Sequence, residues 1–98
     1  MRYRECLIKD CRKFKYFVIY GEIEEITEDS VIISDTTGKI KIKVKDLSGL
    51  NVGDKVRVFG HWENDMVIAD IVQKMKLGVY LYNKYQKLVE KLFKEEEE

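Results

Sequence analysis

Four lysines occupy every second position of one short stretch of the chain: Lys39, Lys41, Lys43 and Lys45. Alternate side chains of a β-strand point to the same side, so the pattern predicts a row of cations along one strand face. Such a row can neutralise the phosphates of a nucleic acid. A solvated strand face that pairs with carboxylates such as Glu22 and Glu24 explains the lysines equally well, and the sequence leaves both interpretations open.

The only tryptophan, Trp62, and the only histidine, His61, are neighbours in a stretch that reads as a loop over residues 60–65. An exposed indole in this loop could stack on a nucleotide base, and His61 is grouped with it as a candidate contact. The alternative for Trp62 is a plug at the end of a barrel. Three more aromatic residues face outward in the predicted strands, and for these packing is favoured over base stacking: Tyr16, Tyr20 and Phe59.

Catalytic and metal-binding patterns find little support in the sequence. We find no Ser/His/Asp set, no cysteine with a neighbouring histidine and no glycine-rich phosphate loop, so we expect a protein that is not an enzyme and uses no cofactor. A zinc site needs about four ligands. The chain offers Cys6, Cys11 and one histidine, so both cysteines are expected to be reduced and structural.

Length and charge limit the possible classes of protein. The 98 residues suffice for one small domain with its own core, and the 18 basic and 18 acidic residues balance. Zero net charge argues against a nucleic-acid binder, but without the terminal run 95–98 the count is 18 basic against 14 acidic residues. We expect a cytoplasmic protein, because the sequence shows no signal peptide and no membrane-spanning run. The absence of proline and the abundance of Lys, Glu and Ile are typical of a thermophile.

Hydrophobic alternation and turn residues predict five strands, over residues 14–26, 31–34, 39–45, 55–59 and 66–73. Gly21 is expected to mark a bulge or bend in the first of them. The second and third should be joined by a tight turn, with Asp35 bonding the backbone ahead and Gly38 taking a positive φ. Leu47 and Leu50, in the next connector, could plug one end of a small closed barrel or sandwich.

Residues 77–98 carry a different pattern, with apolar side chains at the spacing of an amphipathic helix. The stripe consists of Leu81, Tyr82, Tyr85, Leu88, Val89, Leu92 and Phe93. It is wider than a small barrel needs, which favours a partner helix or self-association over a helix folded back on its own barrel. The acidic run 95–98 is interpreted as a solvated tail.

Three motifs in order give the chain a family resemblance. Residues 18–23 (VIYGEI) resemble the glycine-broken first strand of an OB-fold, residues 35–38 (DTTG) its turn between strands two and three, and residues 52–60 (VGDKVRVFG) its fourth strand. The resemblance covers roughly residues 8–75. It implies a mainly β fold, a five-stranded OB-fold barrel over 14–75 with a lead-in at 1–13 and a C-terminal amphipathic α-helix at 77–98.

A single OB-fold followed by a C-terminal helix resembles the small subunits of replication protein A and of telomere-capping complexes. The resemblance implies a single-stranded DNA-binding subunit that joins other OB-fold subunits through its helix. Two alternatives remain: a scaffold subunit with little nucleic-acid binding of its own, and an RNA-binding module. The short connector between strands three and four, where many OB-folds carry a helix, departs from the family pattern.

Overall fold

A computed structural model of the chain describes residues 2–76. Its elements are β1 (Arg4–Glu5), a 3₁₀ helix (Ile8–Lys13), β2 (Tyr16–Ile26), β3 (Ser30–Asp35), β4 (Gly38–Lys43), β5 (Lys55–Glu63) and β6 (Met66–Met75). The helix predicted over 77–98, with its apolar stripe and acidic run, lies outside the described residues. No helix within residues 2–76 is both long enough and apolar enough to cross a membrane.

Five of the strands close into a ring because β2 is long enough to pair on both sides. Its first part, Tyr16 to Glu22, is antiparallel to β5, and its second part, Glu22 to Ile26, is antiparallel to β3. β3 then pairs with β4 and β5 with β6, and a short parallel contact between β4 and β6 completes the ring. The two-residue β1 adds to β2 in parallel. The fold is therefore mainly β, with a closed sheet, as the sequence predicts.

The core is built from the inward-facing positions of these strands. Four strands of the ring, β2 to β5, contribute fully buried side chains: Phe17, Ile19, Ile23, Val31, Ile33, Ile42, Val56 and Val58. The fifth, β6, contributes Val67 at 2% exposure. The predicted alternation of β4 is confirmed, since Ile42 is buried between exposed Lys41 and Lys43. Lys45 is also exposed but follows the end of β4.

The sequence predicts a bulge or bend at Gly21, but the bulge in β2 does not lie there. The register shift lies between Ile23 and Glu25. Gly21 instead allows a close approach to β3, because a Cβ there would lie 2.4 Å from Ile33 Cγ2 and 2.5 Å from the Ser34 carbonyl oxygen.

The β3–β4 turn is where the sequence placed it, but its backbone differs from the expectation. The Asp35 carboxylate accepts hydrogen bonds from the Thr37 amide at 2.6 Å and the Gly38 amide at 3.1 Å, which confirms the predicted side-chain bonds to the backbone ahead. Gly38 does not have a positive φ. The turn is closed by Thr36 and Thr37, and Gly38 is already the first residue of β4.

Two segments outside the strands pack against the core of the ring. The 3₁₀ helix contributes Ile8 and Cys11 to the core, and it is attached to the β3–β4 turn. On the connector between β4 and β5, Leu47 and Leu50 pack half-buried against the core. Their role as a plug at one end of a barrel stays a prediction. The same connector is bonded to β2 through the Gly53 amide and the Ile23 carbonyl at 2.8 Å.

The predicted loop over residues 60–65 is largely strand, which corrects the expected end of the strand predicted over 55–59, whereas the predicted start of the next strand at Met66 is confirmed. β5 runs on to Glu63, β6 begins at Met66, and only Asn64 and Asp65 form the turn between them. Their φ values of 48° and 64° suit a tight two-residue hairpin. His61 and Trp62 consequently lie in β5, on opposite faces of the sheet.

Candidate nucleic-acid interface

A cleft of about 560 Å³ lies where β4, the 3₁₀ helix and the β5–β6 hairpin meet. Its walls consist of Ile8, Lys9, Cys11, Arg12, Asp29, Ser30, Lys39, Ile40, Lys41, Lys43, Trp62, Asp65, Met66 and Val67. The alternation of β4 points its lysines to this side, and the tight Asn64–Asp65 turn sets the end of the hairpin beside them. The cleft is thus open, basic and edged by one large aromatic ring.

Basic side chains outnumber acidic ones along the cleft, five against two. They are Lys9, Arg12, Lys39, Lys41 and Lys43, against Asp29 and Asp65. Lys41 and Lys43 are exposed, and within residues 2–76 neither forms an ion pair. These two cations are therefore available to an anionic chain lying across β4.

Lys39 forms an ion pair within the protein. Its Nζ lies 2.7 Å from Glu24 Oε2, and the Ser34 hydroxyl donates to the other oxygen of that carboxylate at 2.9 Å. Lys39 first and Ser34 second hold the pKa of the Glu24 carboxyl below its ordinary value. Lys39 is thus paired with one of the carboxylates that the interpretation as a solvated face invokes.

Trp62 lines the cleft and is fixed from several sides. Its Nε1 donates a 3.0 Å hydrogen bond to the Cys11 carbonyl, and its ring contacts buried Phe17 at a centroid distance of 6.2 Å. The Arg12 guanidinium lies over the indole, 5.0 Å from the centroid. The ring is half-buried and packs against the core, so it combines features of the predicted barrel plug with a position in the cleft.

The sequence grouped His61 with Trp62, but the structure places His61 on the opposite face, away from the cleft. Its Nδ1 lies 2.9 Å from Asp70 Oδ2 and its Nε2 lies 2.9 Å from Glu63 Oε2. The hydrogen bond with Asp70, followed by that with Glu63, raises the pKa of the imidazole. Two adjacent carboxylates make this position unfavourable for a phosphate.

The outward aromatic residues are covered by the N-terminal segment, a contact that the sequence did not predict. Tyr3 packs edge-on against Tyr16 at 5.7 Å and against Phe59 at 5.4 Å, and its hydroxyl donates to Asp70 at 2.8 Å. Tyr20 is half-buried on the same face, where burial raises its pKa. None of these rings lines the cleft.

Lys9 and Arg12 belong to the cleft, and sequence reasoning missed both. They stand in a run of basic residues that the sequence assigned only to a lead-in. The 3₁₀ helix brings them to β4 because the Ile8 amide donates to Asp35 at 2.8 Å and the Lys9 amide donates to the Thr37 hydroxyl at 3.1 Å. Lys45, in contrast, was predicted as a site residue but does not line the cleft.

Neither thiol belongs to a metal centre in the described part of the chain, where no group of three His, Cys, Asp or Glu side chains is placed to hold an ion. Cys6 and Cys11 are both in the reduced form. Cys11 is buried, and that burial raises its pKa, which suits a packing role.

The order of strands in the closed ring, with β2 joined to β3 and β5 and the ring completed by β4 and β6, is that of the OB-fold. Solved structures share it. A chain of the S. pombe Stn1–Ten1 complex superimposes with a TM-score of 0.74 at 11% identity, over 94% of this chain and 93% of that one. The telomere capping protein Ten1 from S. pombe gives 0.71 at 12% identity, over 93% and 98%.

A chain of a Replication Protein A heterotrimer bound to ssDNA has the fold as well, with a TM-score of 0.63 at 12% identity over 81% of this chain and 73% of that one. No protein-family model and no curated protein matches the sequence. At these identities the likeness establishes the fold, and the fold is the one that the sequence motifs predicted.

Proposed function

We propose that this protein is a single-stranded DNA-binding OB-fold subunit of a heteromeric complex, similar to replication protein A, and that residues 77–98 join it to the other subunits. The observation that carries the proposal is the convergence of Lys41, Lys43 and Arg12 with Trp62 in one cleft. The likeness to chains from the Stn1–Ten1 complex and from a Replication Protein A heterotrimer supports it.

The chemistry of the cleft suits an unpaired strand better than a duplex. Lysines along β4 neutralise successive phosphates without reading sequence, and an aromatic face contributes about 1–3 kcal/mol per stacked base. A base in a duplex is already stacked and cannot reach an indole at the side of the cleft. The cleft offers one aromatic ring and a few cations, so we expect modest affinity, as befits a subunit that shares a strand with others.

Trp62 is the only tryptophan and lines the cleft, so its fluorescence reports directly on binding. We would titrate the full chain with a short oligo-dT at several salt concentrations. Each phosphate neutralised on a single strand contributes about 0.7 to the slope of log K against log salt. Lys41→Ala and Lys43→Ala should each weaken binding and each lower that slope by about 0.7.

Lys76→Ala is the matched control, because it removes the same charge at the far end of β6, beyond Met75. It should leave both affinity and slope unchanged. Equal effects of Lys76→Ala and Lys41→Ala would mean that total charge, not the cleft, governs binding. Absence of any binding by the full chain would contradict the proposed DNA-binding role.

A scaffold subunit with little nucleic-acid binding is the second candidate function. The observations that favour it are the ion pair that occupies Lys39 and the anchoring of Trp62 by Cys11 and Arg12. The same titration decides between the two, and repeating it with an RNA oligonucleotide of matched length tests the RNA-binding alternative.

The assembly role is tested through the apolar stripe of 77–98. A tagged full chain, purified from the cells in which it occurs naturally, should elute at a native mass larger than 11.6 kDa with stoichiometric partners. Leu88→Asp and Leu92→Asp should release those partners and leave oligo-dT binding intact. Retention of the same native mass by both variants would remove the stripe from the assembly interface.

A further inference from the structure

Arg12 occupies a position over the one aromatic ring of the cleft, and this contact has consequences for ligand binding. The guanidinium carbon lies 5.0 Å from the Trp62 ring centroid, and both residues line the cleft. The indole edge is tied to Cys11 and the ring also contacts buried Phe17, so Trp62 itself is not free to turn. The Arg12 side chain is the movable partner of the pair.

Little else restrains the Arg12 side chain. Its backbone is set by the 3₁₀ helix, since the neighbouring Cys11 is 2% exposed and Ile8 is bonded to Asp35. Its own side chain is exposed, and in the described part of the chain it forms no ion pair. The contact with the indole is therefore the interaction that a ligand must replace.

We propose that Arg12 is a gate on Trp62: it covers the ring in the free protein, and an entering base displaces it, stacks on the indole and leaves the guanidinium to bind a phosphate of the same strand. The proposal rests on the single-stranded DNA-binding function proposed above. It assigns to Arg12 the role of a specificity-determining residue that distinguishes a strand with bases from a bare polyanion.

The relative strengths of the two contacts decide the direction of exchange. An exposed cation–π contact contributes about a two- to fivefold factor to an equilibrium, whereas a stacked base contributes about fivefold to a hundredfold. A base therefore replaces the guanidinium on the indole. A phosphate chain without bases puts nothing on the ring in its place and gains only the phosphate contact of the displaced guanidinium. A base can stack only on the fraction of protein molecules in which Arg12 has left the ring. The cover by Arg12 therefore reduces the apparent affinity for a base in proportion to that fraction.

Arg12→Lys tests the gate because it keeps the charge and removes the flat guanidinium, which stacks on aromatic rings better than a hydrated ammonium does. Arg4→Lys is the matched control, since Arg4 lies 5.8 Å over the Phe14 ring and does not line the cleft. The probes are an oligo-dT and an abasic oligonucleotide with the same number of phosphates. The ratio of their affinities isolates the contribution of the bases.

Two results are expected for Arg12→Lys. The accessibility of Trp62 to acrylamide, a neutral quencher, should rise in the free protein. The ratio of oligo-dT affinity to abasic affinity should rise about two- to fivefold, which corresponds to the strength of the lost cation–π contact. Arg4→Lys should change neither quantity. An unchanged acrylamide constant, or a ratio that stays level or falls, overturns the gate.

Failure of the gate is distinguishable from failure of the proposed function. If the natural sequence binds both oligonucleotides and Arg12→Lys leaves their ratio unchanged, the cleft binds DNA and only the gate is wrong. If the natural sequence binds neither oligonucleotide, the proposed DNA-binding function and the gate fall together.

Discussion

The carboxylate of Asp35 accepts a 2.8 Å hydrogen bond from the backbone amide of Ile8, 27 positions earlier in the chain. The same side chain closes its own turn through the amides of Thr37 and Gly38. One aspartate thus fixes the β3–β4 hairpin and docks the 3₁₀ helix that forms a wall of the cleft. The shape of the cleft depends on Asp35 although this residue does not line the cleft.

Removing the Asp35 carboxylate should destabilise the fold and loosen the cleft together. Asp35→Ala leaves three amide donors without their partner, and a hydrogen bond to a charged group is worth about 1.5–3 kcal/mol. We expect a loss of about 2–3 kcal/mol in the free energy of unfolding measured with urea. Trp62 emission should also change in the native state, since the Cys11 carbonyl that holds the indole moves with the helix. Thr36→Ala, at the exposed neighbouring turn position, should do neither.

Gly21 and Gly38 should respond differently to the same substitution. An alanine Cβ at position 21 would meet Ile33 Cγ2 at 2.4 Å and the backbone oxygen of Ser34 at 2.5 Å, and backbone cannot move aside cheaply. At position 38 the nearest atom is Ile8 Cγ2, at an ordinary 3.8 Å. We expect Gly21→Ala to cost about 3 kcal/mol of unfolding free energy and Gly38→Ala to be close to neutral. Similar costs for both would contradict the assignment of the Gly21 effect to contact with β3, because the entropy of the unfolded chain favours alanine at either position.

His61 should make stability depend on pH near neutrality. Its pKa is raised above 6.5, chiefly by Asp70 and then by Glu63, so the folded state holds the proton more tightly than the unfolded state. The stabilisation is complete below the unfolded pKa and is lost as pH rises through the folded pKa. The free energy of unfolding should therefore fall as pH rises above the ordinary imidazole pKa of about 6.5.

His61→Gln is the control, and it should flatten that profile because the chain contains no other histidine. Asp70→Asn should reduce the fall more than Glu63→Gln, following the order of their influence on the pKa. An NMR titration of the imidazole checks the direction of the shift separately. A His61 pKa at or below its ordinary value would contradict the prediction.

The sequence predicted those features that local patterning determines, and it missed those that depend on distant contacts. The alternation around Ile42 and the turn chemistry of Asp35 are local, and both appear in the structure. The 3₁₀ helix is too short to show periodicity, and it is held by Asp35 and Thr37 from another part of the chain. For that reason Arg12 could not be assigned to the site, and the basic run around it was assigned only to a lead-in.

His61 and Trp62, which the sequence grouped in one loop, lie on opposite faces of the sheet for a similar physical reason. Gly60 and the polar residues after it resemble a loop, but cross-strand pairing with β6 extends β5 through Glu63. Once both residues lie in a strand, consecutive side chains point to opposite faces. Trp62 then joins the lysines of β4, and His61 joins Asp70 on the other side.

Glu24 should act as a restraint on DNA binding, because it holds Lys39 at 2.7 Å at the edge of the cleft. Glu24→Gln releases this lysine without removing any cation, so affinity for oligo-dT should rise and the salt slope should increase by up to about 0.7. Glu22→Gln changes the net charge by the same amount but removes an ion pair of Lys55, which does not line the cleft. If Glu22→Gln strengthens binding as much as Glu24→Gln, the effect is one of overall charge. Lys39 then does not contact the DNA when its ion pair with Glu24 is removed.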